Sequence, residues 1–375
     1  MGSTFWGLES KTSTGSSSRT IVFARRRSIR TVWRTAFGVI VALLCAEFAL
    51  RPWNTLLYWV NARPVAEDSL TAPAVTVHTY HEGIATAHFT PSCARLTGNS
   101  PAAGAPNILI VGDSFVAAVQ VPDRDTMGAQ VESLSEREGH RVNIRQYGWI
   151  AAGPAKYIVE APQLRAMWQP AMTVAILNLD DFVPEALDDH WTRMHFTGNG
   201  PASIERVSPD SRNKSHALVR RIALQSALLH NLLETFSSTI WPHLTKTFSF
   251  LRNTPAADST AMQNTAISEP DIIRESVREL HRAYGDNLLL IYASEPGLQD
   301  LPDPVETTLL ADCKEQSVDC LSTRTDFIQA RNSGQFIAAG FGNSAPGAGH
   351  YNANGHRLIA QDIWREYRQR RERTR

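Results

Sequence analysis

A mostly parallel β-sheet between two helical layers, a three-layer α/β/α sandwich, is the fold class this sequence predicts. Three observations point to it. Short β-prone apolar runs recur at 108–111, 172–177 and 287–293, and 141–146 is a more mixed candidate strand. Runs of this kind, without regular polar alternation, suit strands covered on both faces. Stretches of helical apolar spacing separate the runs, and alternation of strand with helix implies parallel pairing.

Taken in order, Ile108–Val111 is a strand that ends on Gly112, where a sharp turn is permitted. Asp113-Ser114 then falls where a parallel strand hands over to its helix, and open α/β sheets place their ligands at that end. Arg141–Gln146 is the second strand and stops at Tyr147-Gly148. Gly153 and Pro154 introduce a helix over 155–167, in which Pro162 predicts a kink or restart. Met172–Leu177 is the third strand and runs into Asn178-Leu179-Asp180-Asp181. Residues 183–270 follow as an insertion. Within it, 215–236 has helical apolar spacing with few acids, which fits a lid, a membrane-surface helix, a partner face or a helix packed on the core. A helix starts near Pro270 and continues over Glu275–Tyr284, the fourth strand covers 287–293, and a last helical pattern covers 361–368. No internal repeat is visible.

A serine at the carboxyl end of a parallel strand becomes a nucleophile when a histidine reaches it from elsewhere. Ser114 is that serine, and Gly112 and Asp113 support its turn. His350, 236 positions later and just ahead of the last helix, is the candidate base, with Asn352 and Gly355 after it. A last helix packed beside the first strand would bring the two together.

The stretches G-D-S-F at 112–115 and G-H-Y-N-A-N-G at 349–355 together resemble the SGNH (GDSL-type) hydrolase superfamily. The resemblance implies Ser114 as nucleophile and His350 as base. It makes 119–134 the helix after the nucleophile, and it implies an oxyanion held by the backbone N–H groups of Ser114 and Gly148. Two departures stand out. The family places an oxyanion-binding asparagine where this chain has Asp180, and an ionised carboxylate cannot donate a hydrogen bond. Either Asn178, on the same face if the strand continues, supplies the amide, or Asp180 is protonated by burial beside Asp181. A third option is that Asp180 only caps the next helix. The family also places an aspartate two or three residues before the histidine, where this chain has Ala348 and Gly347. A backbone carbonyl is then expected to hold the imidazole N–H of His350. His356 is expected to face solvent or pack rather than act.

Charge is balanced, 37 basic against 37 acidic residues in 375, which argues against a nucleic-acid surface. It is not evenly spread: seven Lys and Arg precede residue 36 against the single acid Glu9. The expected organisation is a basic tail (1–34), a transmembrane signal anchor (35–52), a juxtamembrane spacer (53–104) and one catalytic domain (105–375). The apolar run Thr35–Leu50 is slightly short for a span of ~20 residues, and Trp33 and Trp53 would extend it. The basic flank predicts a cytoplasmic N-terminus and an extracytoplasmic domain, hence a single-pass bacterial inner-membrane protein. A cleaved signal lacks a clear small-residue site. A lipoprotein signal on Cys45 has Leu44 where a small residue is expected, and R-R-S-I-R at 26–30 only faintly resembles a twin-arginine signal.

Cys313 and Cys320 bracket six residues, and a bridge there would suit an oxidising compartment. Cys93 is left free or replaces one of that pair. No Cys/His cluster has zinc spacing, so no metal is expected, and no phosphate loop or other cofactor signature is present. The expected activity is ester hydrolysis on an acylated glycan or a lipid ester outside the cytoplasm. O-acyl transfer to an envelope or exported polysaccharide, and an inactive envelope scaffold, are the alternatives.

Overall fold

The computed structural model describes residues 33–47, 75–79, 82–90, 93–150, 152–182, 192–195, 203–206, 269–294, 303–334 and 337–373. A helix, α1, covers 33–47. An antiparallel hairpin follows, β1 (Val75–Thr79) with β2 (Ala85–Phe89). The central sheet contains β3 (Asn107–Gly112), β4 (Asn143–Gly148), β5 (Met172–Leu177), β8 (Leu288–Tyr292) and β9 (Asp319–Ser322). Its order is β4-β3-β5-β8-β9, and every pair is parallel. A small hairpin, β6 (Thr192–His195) with β7 (Ser203–Arg206), lies apart from it. The other helices are α2 (Ser114–Ala117), α3 (Met127–Arg137), α4 (Pro154–Trp168), α5 (Glu269–Tyr284), α6 (Pro304–Glu315), α7 (Arg324–Asn332) and α8 (Ala353–Arg373).

Side chains alternate across a strand, and this divides β3 between two cores. Leu109 and Val111 face a cluster with Leu164 of α4, Leu280 of α5 and Leu309 of α6. Ile108 and Ile110 face the opposite cluster, with Val131 of α3, Phe327 of α7 and Ile363 of α8. The three-layer reading therefore holds, and the continuous apolar runs are strands covered on both sides.

Several boundaries differ from expectation for local reasons. α3 begins at Met127 rather than 119 because Pro122 and a short 3-10 turn at Asp123–Asp125 come first. The fully buried Thr126 then caps it by accepting from the Ala129 N–H at 3.3 Å. Pro162 lies inside α4 without ending it. β9 escaped the sequence reading because Asp-Cys-Leu-Ser is short and mixed, with Asp319 exposed at an edge of the sheet. Much of the insertion, including 215–236, lies outside the described residues.

Of the expected anchor, α1 covers 35–47, and the whole helix of 15 residues spans about 22 Å at 1.5 Å per residue. Trp33, Phe37, Ile40, Leu43 and Leu44 are exposed on it. Among the described residues no helix is long and apolar enough to cross a membrane. Residues 48–52 fall outside them.

The stretch 53–104, expected to be a spacer, contains the β1–β2 hairpin. Val77, Ala87 and Phe89 of the hairpin are buried against Ala117 and Val119. Arg95 is fully buried over the Phe89 ring and pairs with Asp123, which also accepts the His88 backbone N–H at 3.0 Å. The described residues of this stretch from Val75 onward thus pack onto the domain, and 53–74 lie outside the described residues.

Cys313 and Cys320 are bridged, with Cα atoms 6.1 Å apart, tying the end of α6 to β9; Cys93 is buried and takes no part in a disulfide. Replacing both bridged cysteines by serine is expected to cost about 2 kcal/mol, from the loop-closure entropy of so short a loop. Urea unfolding of the double variant measures it, and an unchanged midpoint would mean that the edge strand is held by its ladder alone.

Candidate active site

The nucleophile turn follows from Gly112. A Cβ there would lie 2.4 Å from Val116 Cγ2 and 3.1 Å from the Ile176 carbonyl, so only glycine lets β3 break directly into α2. Asp113 caps α2 by accepting from the Phe115 N–H at 2.9 Å. Ser114, half-buried, is the first residue of the helical turn.

His350 reaches it from the loop before α8. His350 Nε2 lies 2.9 Å from Ser114 Oγ. Asn352 braces that loop: its amide donates to the carbonyls of Ile337 and Gly340 at 2.9 and 3.0 Å, and its Oδ1 accepts from the Asn354 N–H at 2.9 Å. The Phe115 ring sits 5.0 Å from the imidazole, and Tyr351 lies 4.7 Å behind Phe115.

The imidazole is not held by a carbonyl, as the sequence led us to expect. Glu82, in the loop between β1 and β2, lies against it, with Oε2 2.6 Å from His350 Nδ1. Its Oε1 accepts the His350 backbone N–H, also at 2.6 Å. A carboxylate on Nδ1 assigns the ring proton to that nitrogen and leaves the Nε2 lone pair facing the serine hydroxyl. Burial pushes the Glu82 carboxyl upward, but its three interactions with His350 outweigh this and hold it below the usual range. The only local signal was a turn glycine, Gly83, between two alternating runs, V-T-V-H-T and A-T-A-H-F, which reads as a hairpin. Nothing in the sequence links it to a histidine 268 positions away.

Gly148 ends β4 directly opposite Gly112. A Cβ on Gly148 would lie 1.9 Å from the Ala117 nitrogen, so the glycine lets β4 pass against the nucleophile turn. The Trp149 N–H pairs with the Gly112 carbonyl at 2.9 Å. In a parallel ladder the neighbouring residue's groups then point away from that partner strand, so the Gly148 N–H faces away from β3.

The third strand ends differently from expectation. β5 stops at Leu177 and the chain enters a 3-10 turn at Leu179–Phe182, so the same-face argument for Asn178 and Asp180 does not apply. Asp180 is exposed and its N–H is accepted by Asn178 Oδ1 at 2.8 Å. Asn178 is buried instead, and its Nδ2 donates to Asp113 Oδ2 at 2.7 Å, leaving one amide hydrogen. The buried carboxylate is Asp181, which accepts from the Asn178 N–H at 2.8 Å and the Tyr157 hydroxyl at 3.1 Å.

Burial raises the Asp113 carboxyl to about 6, with Phe115, Asn178 and His350 acting in the opposite direction. Asp181 is also raised, first by burial and then by the Asp113 charge. This has a defined sign. Above pH 6 the folded state carries the buried Asp113 charge. As pH falls through 6 the folded state takes up a proton that the unfolded chain binds only near 3.8. Asp113 therefore makes the fold more stable on acidification across that window, by on the order of 2–3 kcal/mol. Asp113→Asn, which keeps a capping oxygen, is expected to flatten this slope. Unfolding midpoints at pH 7 and 4.5 in both proteins measure it, and equal slopes would place the titration on Asp181 alone.

His356 packs, as one of its two expected options: it is buried edge-on to Tyr351, and burial lowers it to about 3, keeping it neutral. Among the described residues no group of three or more His, Cys, Asp or Glu side chains is placed to hold a metal ion.

Fold and site together define a parallel α/β protein with a Ser114–His350–Glu82 constellation at the carboxyl ends of its strands. No family model matches the sequence, and no curated protein does. Among solved structures it is similar to a lipase/acylhydrolase from Enterococcus faecalis, at 11% identity and TM-score 0.39, covering 71% of this chain and 96% of that one. It is also similar to an acetyl xylan esterase from Geobacillus stearothermophilus, at 10% identity and TM-score 0.38, covering 70% and 94%. A lipolytic G-D-S-L family member from Veillonella parvula aligns at 12% identity and TM-score 0.33, covering 69% and 96%.

Proposed function

We propose that this chain is an SGNH-type serine esterase acting by acyl transfer through Ser114. The observation that carries the reading is the 2.9 Å contact between Ser114 Oγ and His350 Nε2, with the other ring nitrogen on a carboxylate. In this mechanism His350 takes the hydroxyl proton as Ser114 attacks an ester carbonyl. The Ser114 N–H and the remaining amide hydrogen of Asn178 bind the oxyanion, while the Gly148 N–H, which faces away from β3, is not counted as a donor. His350 returns the proton to the leaving alcohol, then activates the water that releases the acid.

The proposed substrate is an acylated glycan or a lipid ester outside the cytoplasm. The Cys313–Cys320 bridge and the basic flank ahead of α1 support an exported domain tethered to the inner membrane by the N-terminal segment. The scaffold alternative drew on the missing aspartate and on Asp180; Glu82 at His350 Nδ1 takes away the first reason, and Asn178 is the amide proposed in place of the second.

p-Nitrophenyl acetate turnover and labelling by a fluorophosphonate test the reading. Labelling confined to Ser114 supports it, and a folded protein that neither labels nor turns over would sink it. Product analysis with a glycan hydroxyl acceptor present separates hydrolysis from O-acyl transfer.

A further inference from the structure

Glu82 lies 32 residues before the nucleophile, on a hairpin outside the central sheet, and the acyl-transfer steps above do not require it to touch substrate. Its two carboxylate oxygens are nevertheless both used on one residue. One accepts the His350 backbone N–H and the other meets the ring at Nδ1. A two-point grip of this kind fixes where the imidazole stands and which tautomer it holds.

The surrounding chain is shaped around that carboxylate. Gly349 has φ +75, and a Cβ on it would lie 2.1 Å from Glu82 Oε1. Gly83, beside Glu82, has φ +73, and a Cβ there would come 2.4 Å from the Gln120 carbonyl and 3.0 Å from the Phe341 ring. Asn343 grips Gly83 from both sides: its Oδ1 accepts the Gly83 N–H at 2.9 Å and its Nδ2 donates to the Gly83 carbonyl at 3.2 Å. On the other flank, Thr79 Oγ1 donates to the Val119 carbonyl at 2.5 Å, just after the nucleophile turn. The hairpin therefore touches both segments that carry the reacting pair.

We propose that Glu82 is the positioning residue for His350, and that docking of the β1–β2 hairpin, latched by Asn343, completes the active site. This rests on the esterase reading of Ser114 and His350. The sheet, the serine and the histidine belong to the chain from 105 onward, whereas the acid arrives with the segment that leads to α1. Catalytic competence is thereby conditional on that upstream segment being seated.

The test uses the full chain as wild type, Glu82→Gln, Glu82→Asp, Gly349→Ala and Asn343→Ala. Two readouts are taken: p-nitrophenyl acetate kinetics, and the low-field proton resonance of the His350 Nδ1–H, which is seen whether or not the protein turns over. Glu82→Gln is expected to lose up to ~10⁴ in kcat, by analogy with removal of the charge from a triad acid, with KM little changed and the resonance moved upfield. Glu82→Asp recovers part of the rate. Gly349→Ala, which crowds the carboxylate without removing it, follows Glu82→Gln in both readouts. Asn343→Ala, altered at an exposed residue, gives a smaller loss of kcat. Unchanged kcat and an unmoved resonance in Glu82→Gln would overturn the proposal. Absence of Ser114-dependent turnover in wild type would overturn the esterase reading instead, and the resonance would still decide whether Glu82 holds His350.

Discussion

Ser114→Ala is expected to abolish ester turnover, by about 10⁴–10⁶ in kcat, while leaving the unfolding midpoint near its wild-type value. The size follows from what removing a nucleophile or its base does in serine hydrolases that retain their oxyanion site. The unchanged stability follows from location. Ser114 is half-buried, and its described side-chain contact is with His350. His350→Ala should lose a similar factor, but with a structural cost as well. It deprives the Glu82 carboxylate of its ring partner, and an unpaired, partly buried acceptor costs about 1–3 kcal/mol. Because the two residues act as a unit, the Ser114→Ala/His350→Ala double variant should be no slower than either single one. Single-turnover kinetics with purified variants checks this. Additive losses would mean that the two side chains act separately and that the 2.9 Å contact is incidental.

Gly148→Ala should have the largest structural effect of any single methyl group added near the site. Its Cβ would lie 1.9 Å from the Ala117 nitrogen, 2.3 Å from its Cα and 2.6 Å from the Val116 carbonyl carbon. Those atoms are backbone and cannot rotate away, so β4 and α2 must part. Overpacking of a tight contact costs roughly 1–3 kcal/mol and more where nothing can yield; we expect the upper end. Catalysis should fall with it, since Ser114 begins the displaced helix. Thermal unfolding and esterase assay of the same preparation measure both. A stable Gly148→Ala protein with full activity would show that β4 and α2 can separate freely.

The parts legible in the sequence were those with local causes. β3, β5 and β8 could be read because a strand buried on both faces tends to be apolar along its length, as Ile108–Val111, Leu288–Tyr292 and, but for Thr173, Met172–Leu177 are. Ser114 could be read because a glycine, an acidic cap and a serine at a strand end are adjacent residues. His350 was found by its position before the last helix. The same-face argument for Asn178 and Asp180 assumed that the strand continues through Asn178, whereas a 3-10 turn begins at Leu179 and Asp181 is buried.

Glu82 shows where local reasoning stops. The sequence by itself determined four of the five strands of the sheet and the turn at Gly112–Ser114, since each depends on local residue patterns. It pointed to His350 as the base through a family resemblance. Only the tertiary structure decided what holds the imidazole. A hairpin packs where its apolar face finds Ala117 and Val119, and a carboxylate seeks a charge-assisted partner wherever the chain brings one within reach. Neither preference leaves a mark on the residues before His350, because contact across 268 positions is set by how whole elements pack and not by any spacing along the chain.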